Sequence, residues 1–265
     1  MAAILNVAET GSTNDDVAAL AREGAPEGVW LRAGRQTGGK GRQGRAWVSP
    51  PGNLYASTLV RLRPSDPPAP TLALVAAVAL HEAVSLHAVG VSIKWPNDLV
   101  AFPPRDGDGG EGGSACWGHA ESRNRLRSSR RAKRGGGGAA KLAGILLERA
   151  GDAVVIGFGV NLAHHPHDLD RLATSIAELS GAAPAPGDML QALADVFARG
   201  LGRWRGEGLA PIRRAWLAAA HPVGTALRAA GEEGLFDGLD ETGALRLRLA
   251  DGSTRVVHAG DVFLV

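Results

Sequence analysis

Residues 36–47 read Gln-Thr-Gly-Gly-Lys-Gly-Arg-Gln-Gly-Arg-Ala-Trp, and after Val48 and Ser49 comes Pro50-Pro51-Gly52. Glycine lets backbone N–H groups approach a ligand with no Cβ in the way, while Lys40, Arg42 and Arg45 add positive charge. Such a loop is built to hold an anion. Its spacing Gly39-x-Gly41-x-x-Gly44 also fits a dinucleotide fingerprint, which requires a helix directly after the glycines to receive the pyrophosphate. Pro50, Pro51 and Gly52 forbid that helix. The loop is therefore not the phosphate turn of a doubly wound nucleotide fold, and it joins two strands instead, read over 29–33 and 54–62.

Helical apolar spacing through Val17, Leu20 and Ala21 follows Ser12-Thr13-Asn14-Asp15-Asp16, with Ser12 as N-cap, acids in the first turn and Gly24 as the stop. Pro70 opens a helix to about residue 88 that is apolar nearly all round, and so central to the core. Strands are predicted over 91–95, stopped by Pro96, over 142–147, and over 154–160, the last broken by Gly157 and Gly159. Helices follow over 188–205 and 209–220. Beyond His221-Pro222, short strands over 225–229, 234–239, 244–249, 254–257 and 262–264 have the spacing of a small β-barrel. Strands that succeed one another without helices imply mostly antiparallel pairing. The reading is an α/β (α+β) chain with one domain over 1–220 and a small second one over 221–265.

Periodicity vanishes over 102–140, where prolines, glycines and an Arg/Ser run lack the apolar content to offset ordering entropy, so a disordered insertion is predicted. That segment holds eight basic and four acidic residues; it carries +4, the whole chain +2, and the remainder −2. The body is not a basic nucleic-acid-binding surface. The single cysteine, Cys116, excludes an internal disulfide and a thiolate zinc site. No export signal is visible at the N-terminus, and the most apolar run, 71–80, is too short to span a bilayer. A cytoplasmic protein is predicted.

Three further islands place polar groups at strand ends, where they can line a pocket: Lys94-Trp95-Pro96-Asn97-Asp98, Lys141-Leu142-Ala143-Gly144-Ile145-Leu146 and Gly157-Phe158-Gly159-Val160-Asn161. Together with Ser12-Thr13-Asn14 and the glycine loop, in this order, they resemble the biotin protein ligases, which attach biotin to a lysine of a carboxyl-carrier domain. The resemblance covers nearly the whole chain except 102–140. It implies a domain like the class II aminoacyl-tRNA synthetase catalytic core, with a mixed, largely antiparallel sheet, followed by a small SH3-like barrel. Many members begin with a DNA-binding winged helix; only eleven residues precede Ser12, so the ligase-only form is expected, with no DNA or membrane partner.

The resemblance implies ATP and Mg²⁺ as the needs of the reaction, biotin as substrate, and the carrier domain of a biotin-dependent carboxylase as partner to a monomer or homodimer. It makes Arg42, Lys141, Lys94 and Asp98 the catalytic candidates. Arg42 lies on the loop that closes over the acyl-phosphate, and Lys141 beside the biotin carboxylate and α-phosphate. Asp98 is a general base or a Mg²⁺ contact. For biotin it implies Ser12, Thr13, Asn14, Gln36, Lys40, Gly41, Arg42, Lys141 and Gly144. Among these, Ser12, Thr13 and Gln36 are neutral partners for the ureido ring, and Gly144 is a position where bulk would crowd the biotin. For ATP and the adenylate it implies Lys40, Arg42, Arg45, Asn97 and Lys141, with Trp47 stacked on adenine and Asn161 at its edge.

Lys40 and Gln43 depart from the family's usual Gly-Arg-Gly-Arg-Arg-Gly-Arg loop: lysine keeps the charge without the bidentate fork, and glutamine removes it. The insertion departs too, since the family crosses there in a short turn. His164-His165-Pro166-His167 reads as a loop, because no acidic or cysteine partner has metal-ligand spacing. Two alternatives stand beside the biotin ligase: a lipoate or octanoate ligase or transferase on the related fold, and a nucleic-acid-binding module using the Arg-rich insertion.

Overall fold

The structure is a computed structural model that describes residues 3–102, 139–167 and 172–264. Cys116 and nearly all of the predicted disordered insertion lie outside the described residues.

Seven strands form one sheet: β1 (Ala3–Thr10), β2 (Val29–Gln36), β3 (Leu54–Arg61), β4 (Val91–Lys94), β5 (Asp98–Ala101), β6 (Ala140–Ala150) and β7 (Ala153–Val160). Their order is β1-β2-β3-β7-β6-β5-β4. β1 runs parallel to β2, and the other pairs are antiparallel as expected. Five helices accompany them: α1 (Thr13–Arg22), α2 (Leu72–Ser85), α3 (Ile176–Ser180), α4 (Pro186–Glu207) and α5 (Leu209–Ala219).

Strand alternation puts Leu54, Ala56 and Val60 with Ile156 and Phe158 on one face of the sheet, against α2 and α4. Leu59 and Val155 point the other way, against Val17 and Ala21 of α1. Both faces are covered, which is why these strands read as almost continuous apolar runs. Helix α2 is buried around most of its circumference, as its composition requires, and begins after a 3₁₀ turn containing Pro70. Trp30, Phe158 and Phe197 form a triangle with ring centroids 5.5–6.2 Å apart that ties α4 to the sheet. Each such aromatic pair adds about 0.5–1.5 kcal/mol beyond its buried area.

The structure corrects four local readings. β7 is not broken at Gly157 and Gly159; it pairs without interruption with β3 and β6. Pro96 does stop β4, but the chain returns at once as β5, with Lys94 opposite Asp98. β1 escaped notice because it is an edge strand whose side chains are mostly outside the core. α3, five residues long, is too short to show a helical period.

The C-terminal strands β8 (Ala226–Ala229), β9 (Glu232–Leu239), β10 (Leu245–Arg248), β11 (Thr254–Val257) and β12 (Val262–Leu264) form an antiparallel sheet of the SH3-like kind. Its inner side chains Phe236, Leu245 and Leu247 continue the main core. Trp95 Nε1 donates to Gly243 O at 3.2 Å and fastens this sheet to the β4–β5 turn. Among the described residues, no helix is long and apolar enough to cross a membrane.

Candidate active site

A cavity of about 410 Å³ opens over β6 and β7 beside the start of α1, and every candidate site residue named from the sequence lines it. Ser12 occupies the N-cap position of α1 with extended backbone, but its hydroxyl makes no capping bond and is not consumed by the helix.

One end is lined mainly by neutral hydrogen-bonding side chains, with the Lys40–Asp15 pair and Glu148 beside them. Gln36 Oε1 accepts from Thr13 N at 2.8 Å and lies 3.1 Å from Thr13 Oγ1, while Gln36 Nε2 donates to Ser49 Oγ at 3.2 Å. Asn14 Nδ2 donates to Glu148 Oε2 at 2.6 Å. A Cβ on Gly157 would overlap Asn14 Oδ1, so glycine at that point of β7 is what admits the asparagine.

The other end is ionic. Asp98 Oδ1 sits 2.6 Å from Lys141 Nζ and Oδ2 sits 3.3 Å from Lys94 Nζ. The β4–β5 hairpin supplies Lys94 and Asp98, and β6 brings Lys141. Burial works to raise the Asp98 carboxyl, but the charges and hydrogen bonds of Lys141 and Lys94 outweigh it and hold the group below its ordinary value. With an oxygen on each lysine, Asp98 does not present the open donor set a resident Mg²⁺ needs. Among the described residues no three His, Cys, Asp or Glu side chains gather as a metal group. The described residues around Asp98 therefore do not by themselves make up the ligand set of a protein-held metal.

The glycine loop roofs the cavity as a tight hairpin, with Gly41 N donating to Arg45 O at 2.7 Å and Trp47 N to Gly39 O at 2.8 Å. Gln43 takes a left-handed conformation, φ +58°. Arg42 Nη1 lies 3.3 Å from Asn97 Oδ1 and 3.2 Å from Gly260 O, and Arg45 Nη2 lies 2.5 Å from Asp261 Oδ2. Lys40 turns to Asp15, 2.6 and 2.7 Å from its two oxygens, and that hydrogen bond raises the lysine pKa. Trp47 lies on a shelf made by Gly144 and Gly159, which face each other across β6 and β7. A Cβ on Gly159 would stand 2.7 Å from Trp47 Cε2, and the Lys141 ammonium lies 5.3 Å from the ring centroid. Asn161 lines the wall with Nδ2 donating to Thr174 O at 3.0 Å.

Three parts of this arrangement were not anticipated. Asp261 and Gly260 reach the loop from the far end of the chain. Leu172 and Ala173 run beside the start of β6, Ala173 bridging Lys141 in parallel and Leu172 O accepting from Lys141 N at 2.8 Å. Ser57 and Glu148 sit behind the neutral end. None belongs to a local motif; each is brought in by sheet order or register.

A family model described as biotin/lipoate A/B protein ligase matches residues 12–161, and one described as biotin protein ligase C terminal domain matches 230–265. The chain is 37% identical to a biotin–[acetyl-CoA-carboxylase] ligase of Paracoccus denitrificans, over 97% of this chain and 98% of that one. It is 32% identical to the ligase of the same name from Mycobacterium tuberculosis, over 97% and 86%. The fold matches that of a biotin protein ligase from Aquifex aeolicus solved with biotin and ATP, with TM-score 0.78, 21% identity and 100% of both chains covered. The glycine loop, the Lys94–Asp98 hairpin, the strand begun by Lys141 and the SH3-like sheet thus converge on one lineage, and the chain belongs to the biotin/lipoate A/B protein ligase family, in its biotin protein ligase branch.

Proposed function

We propose that this cavity activates biotin with ATP and transfers it to a lysine of a biotin carboxyl-carrier domain. The biotin carboxylate attacks the α-phosphate of ATP, the bond to pyrophosphate breaks, and biotinyl-5′-AMP remains. The carrier lysine then attacks the acyl carbon, an amide forms and AMP leaves.

The observation that carries this reading is the cavity's polarity: Lys94, Lys141 and Arg42 at one end, neutral hydrogen-bonding groups at the other. Two anions must meet in the first step, and cations already oriented by the sheet and loop stabilise that encounter with little reorganisation. Asp98, held ionised, is a weak base here and serves to aim the two ammonium groups. Arg42 pairs with the acyl-phosphate, while Trp47 and Asn161 receive the adenine. Thr13 and Gln36 meet the ureido ring. A dithiolane in place of that ring would leave buried polar groups without partners, which is why biotin rather than lipoate is preferred.

The reading includes a catalytic part over 1–220 and a small part over 221–265, a cytoplasmic setting, a monomer or homodimer, and no DNA partner. The test is purified protein with labelled biotin, Mg-ATP and a biotin carboxyl-carrier domain. Covalent label on the carrier is expected. Neither carrier label nor biotin-dependent pyrophosphate exchange would overturn the proposal.

A further inference from the structure

At the neutral end of the cavity, Thr13, Asn14, Ser57 and Glu148 fix the hydrogen-bonding protons in a single arrangement. Ser57 is fully buried on β3, its Oγ 2.6 Å from Asn14 Oδ1 and 2.7 Å from Thr13 Oγ1. Glu148, on β6, lies 2.6 Å from the Asn14 amide. Neither Ser57 nor Glu148 lines the cavity, whereas Thr13 and Asn14 do.

An ionised carboxylate only accepts, so the Asn14 atom facing Glu148 is the NH₂ nitrogen, and the amide oxygen faces Ser57. That oxygen also only accepts. The single Ser57 proton therefore goes to Asn14, and the short Ser57–Thr13 contact needs the Thr13 proton. The only other acceptor given to that proton is Gln36 Oε1, 3.1 Å away and already served by Thr13 N–H at 2.8 Å. Either way the Thr13 proton stays inside the protein, and what Thr13 Oγ1 has left is lone pairs.

We infer that Glu148 and Ser57 are positioning residues that lock the Thr13 hydroxyl as an acceptor, so that this end of the cavity selects a ligand carrying an N–H against it. The inference rests on the proposed biotin reading in naming that donor: one of the two ureido N–H groups. Sheet register makes the lock, because Ser57 stands opposite Gly157 and Gly157 opposite Leu146, and the glycine leaves room for Asn14 to reach Glu148 along that row. Without Glu148 the Asn14 amide nitrogen is left with only the long 3.5 Å contact to Leu146 O, and the amide can turn over. The Ser57 proton then moves to Thr13, whose own proton becomes available to a ligand. Without Ser57 the Thr13 proton is held only by the longer Gln36 contact.

The test measures equilibrium binding of biotin and of its two analogues in which one ureido N–H is replaced by oxygen, by calorimetry without ATP. An acceptor set against a buried acceptor is costly, and the unaltered protein is expected to bind one of the two analogues on the order of tenfold to a hundredfold more weakly than biotin. Glu148→Leu, which leaves no acceptor for the Asn14 amide nitrogen there, and Ser57→Ala are each expected to shrink that ratio at least about fivefold, and to leave the ratio for the other analogue unchanged. An unaltered protein that rejects neither analogue overturns the inference without any variant, and so does a folded variant of either kind that keeps the full ratio. Failure of the unaltered protein to bind biotin at all would strike the proposed function instead.

Discussion

Arg45 and Asp261 form an ion pair 2.5 Å long across 216 residues of sequence, joining the glycine loop to the start of β12. Arg42, on the same loop, reaches Gly260 O at 3.2 Å and Asp261 Oδ1 at 3.7 Å. The C-terminal sheet thus holds the roof of the cavity by its cations.

The Arg45–Asp261 pair is partly exposed, so its worth to global stability is small, about 0–1 kcal/mol. Its effect belongs to the loop. Asp261→Asn is expected to leave the unfolding midpoint nearly unchanged while biotinyl-5′-AMP dissociates several-fold faster, because an untethered loop opens more often. Arg42→Gly is expected to accelerate that dissociation further and to change initial biotin capture less, since its guanidinium pairs with the acyl-phosphate. Adenylate dissociation rates at wild-type level in both variants would remove the tether from the account.

Lys141→Ala takes away a cation from between two anions and leaves Asp98 with Lys94 alone. Pyrophosphate exchange should fall roughly 10²–10³-fold, the scale of losing one oriented electrostatic stabiliser. Asp98→Asn should also slow exchange, through loss of lysine orientation, and should change the acid response. The folded-state carboxyl is held below its ordinary value of 3.8, so its contribution is fully present above that pH and is lost as pH falls through the depressed pKa. Denaturant titrations of Asp98→Asn should show a shallower acid limb than the parent; equal limbs would mean the carboxylate is not held ionised by its neighbours.

Gly159→Ala places a Cβ 2.7 Å from the Trp47 indole, too close for the ring to stay, whereas a Cβ on Gly144 would meet it at 3.2 Å. The first variant should raise the KM for ATP at least tenfold with biotin affinity little changed, and the second should do so less. Equal effects on both substrates would show that the shelf does not serve the nucleotide.

These residues also mark where sequence reading succeeds and stops. Lys94, Asn97 and Asp98 were legible because a proline-stopped strand fixes their spacing, and Arg42 and Arg45 because glycine and charge coincide in one loop. Gly157 and Gly159 were legible only as breaks, since propensity registers the missing side chain and not what occupies the space above it: Asn14 and Trp47. Asp261, Leu172 and Glu148 carry no local signal at all. Their roles arise from which strand lies beside which, a long-range outcome that no short window of sequence contains.

His221 offers a test at the junction of α5 with the C-terminal sheet. Its ring is 1% exposed, 4.5 Å from Phe236, and burial pushes its pKa from 6.5 down to about 4, the charge of Lys94 acting in the same direction. An unfolded chain binds a proton there at 6.5 and the folded one does not until about 4, so between these values the unfolded state carries more protons. Stability from this group is therefore fully present above pH 6.5 and declines as pH falls toward 4, by about 3 kcal/mol in all. Replacing the imidazole by an apolar ring, His221→Phe, should flatten the decline between pH 6.5 and 4.5 in urea unfolding curves while leaving the lower Asp98-dependent limb in place. A parent protein whose stability is level across that interval would show that the ring is hydrated or protonated in the folded state.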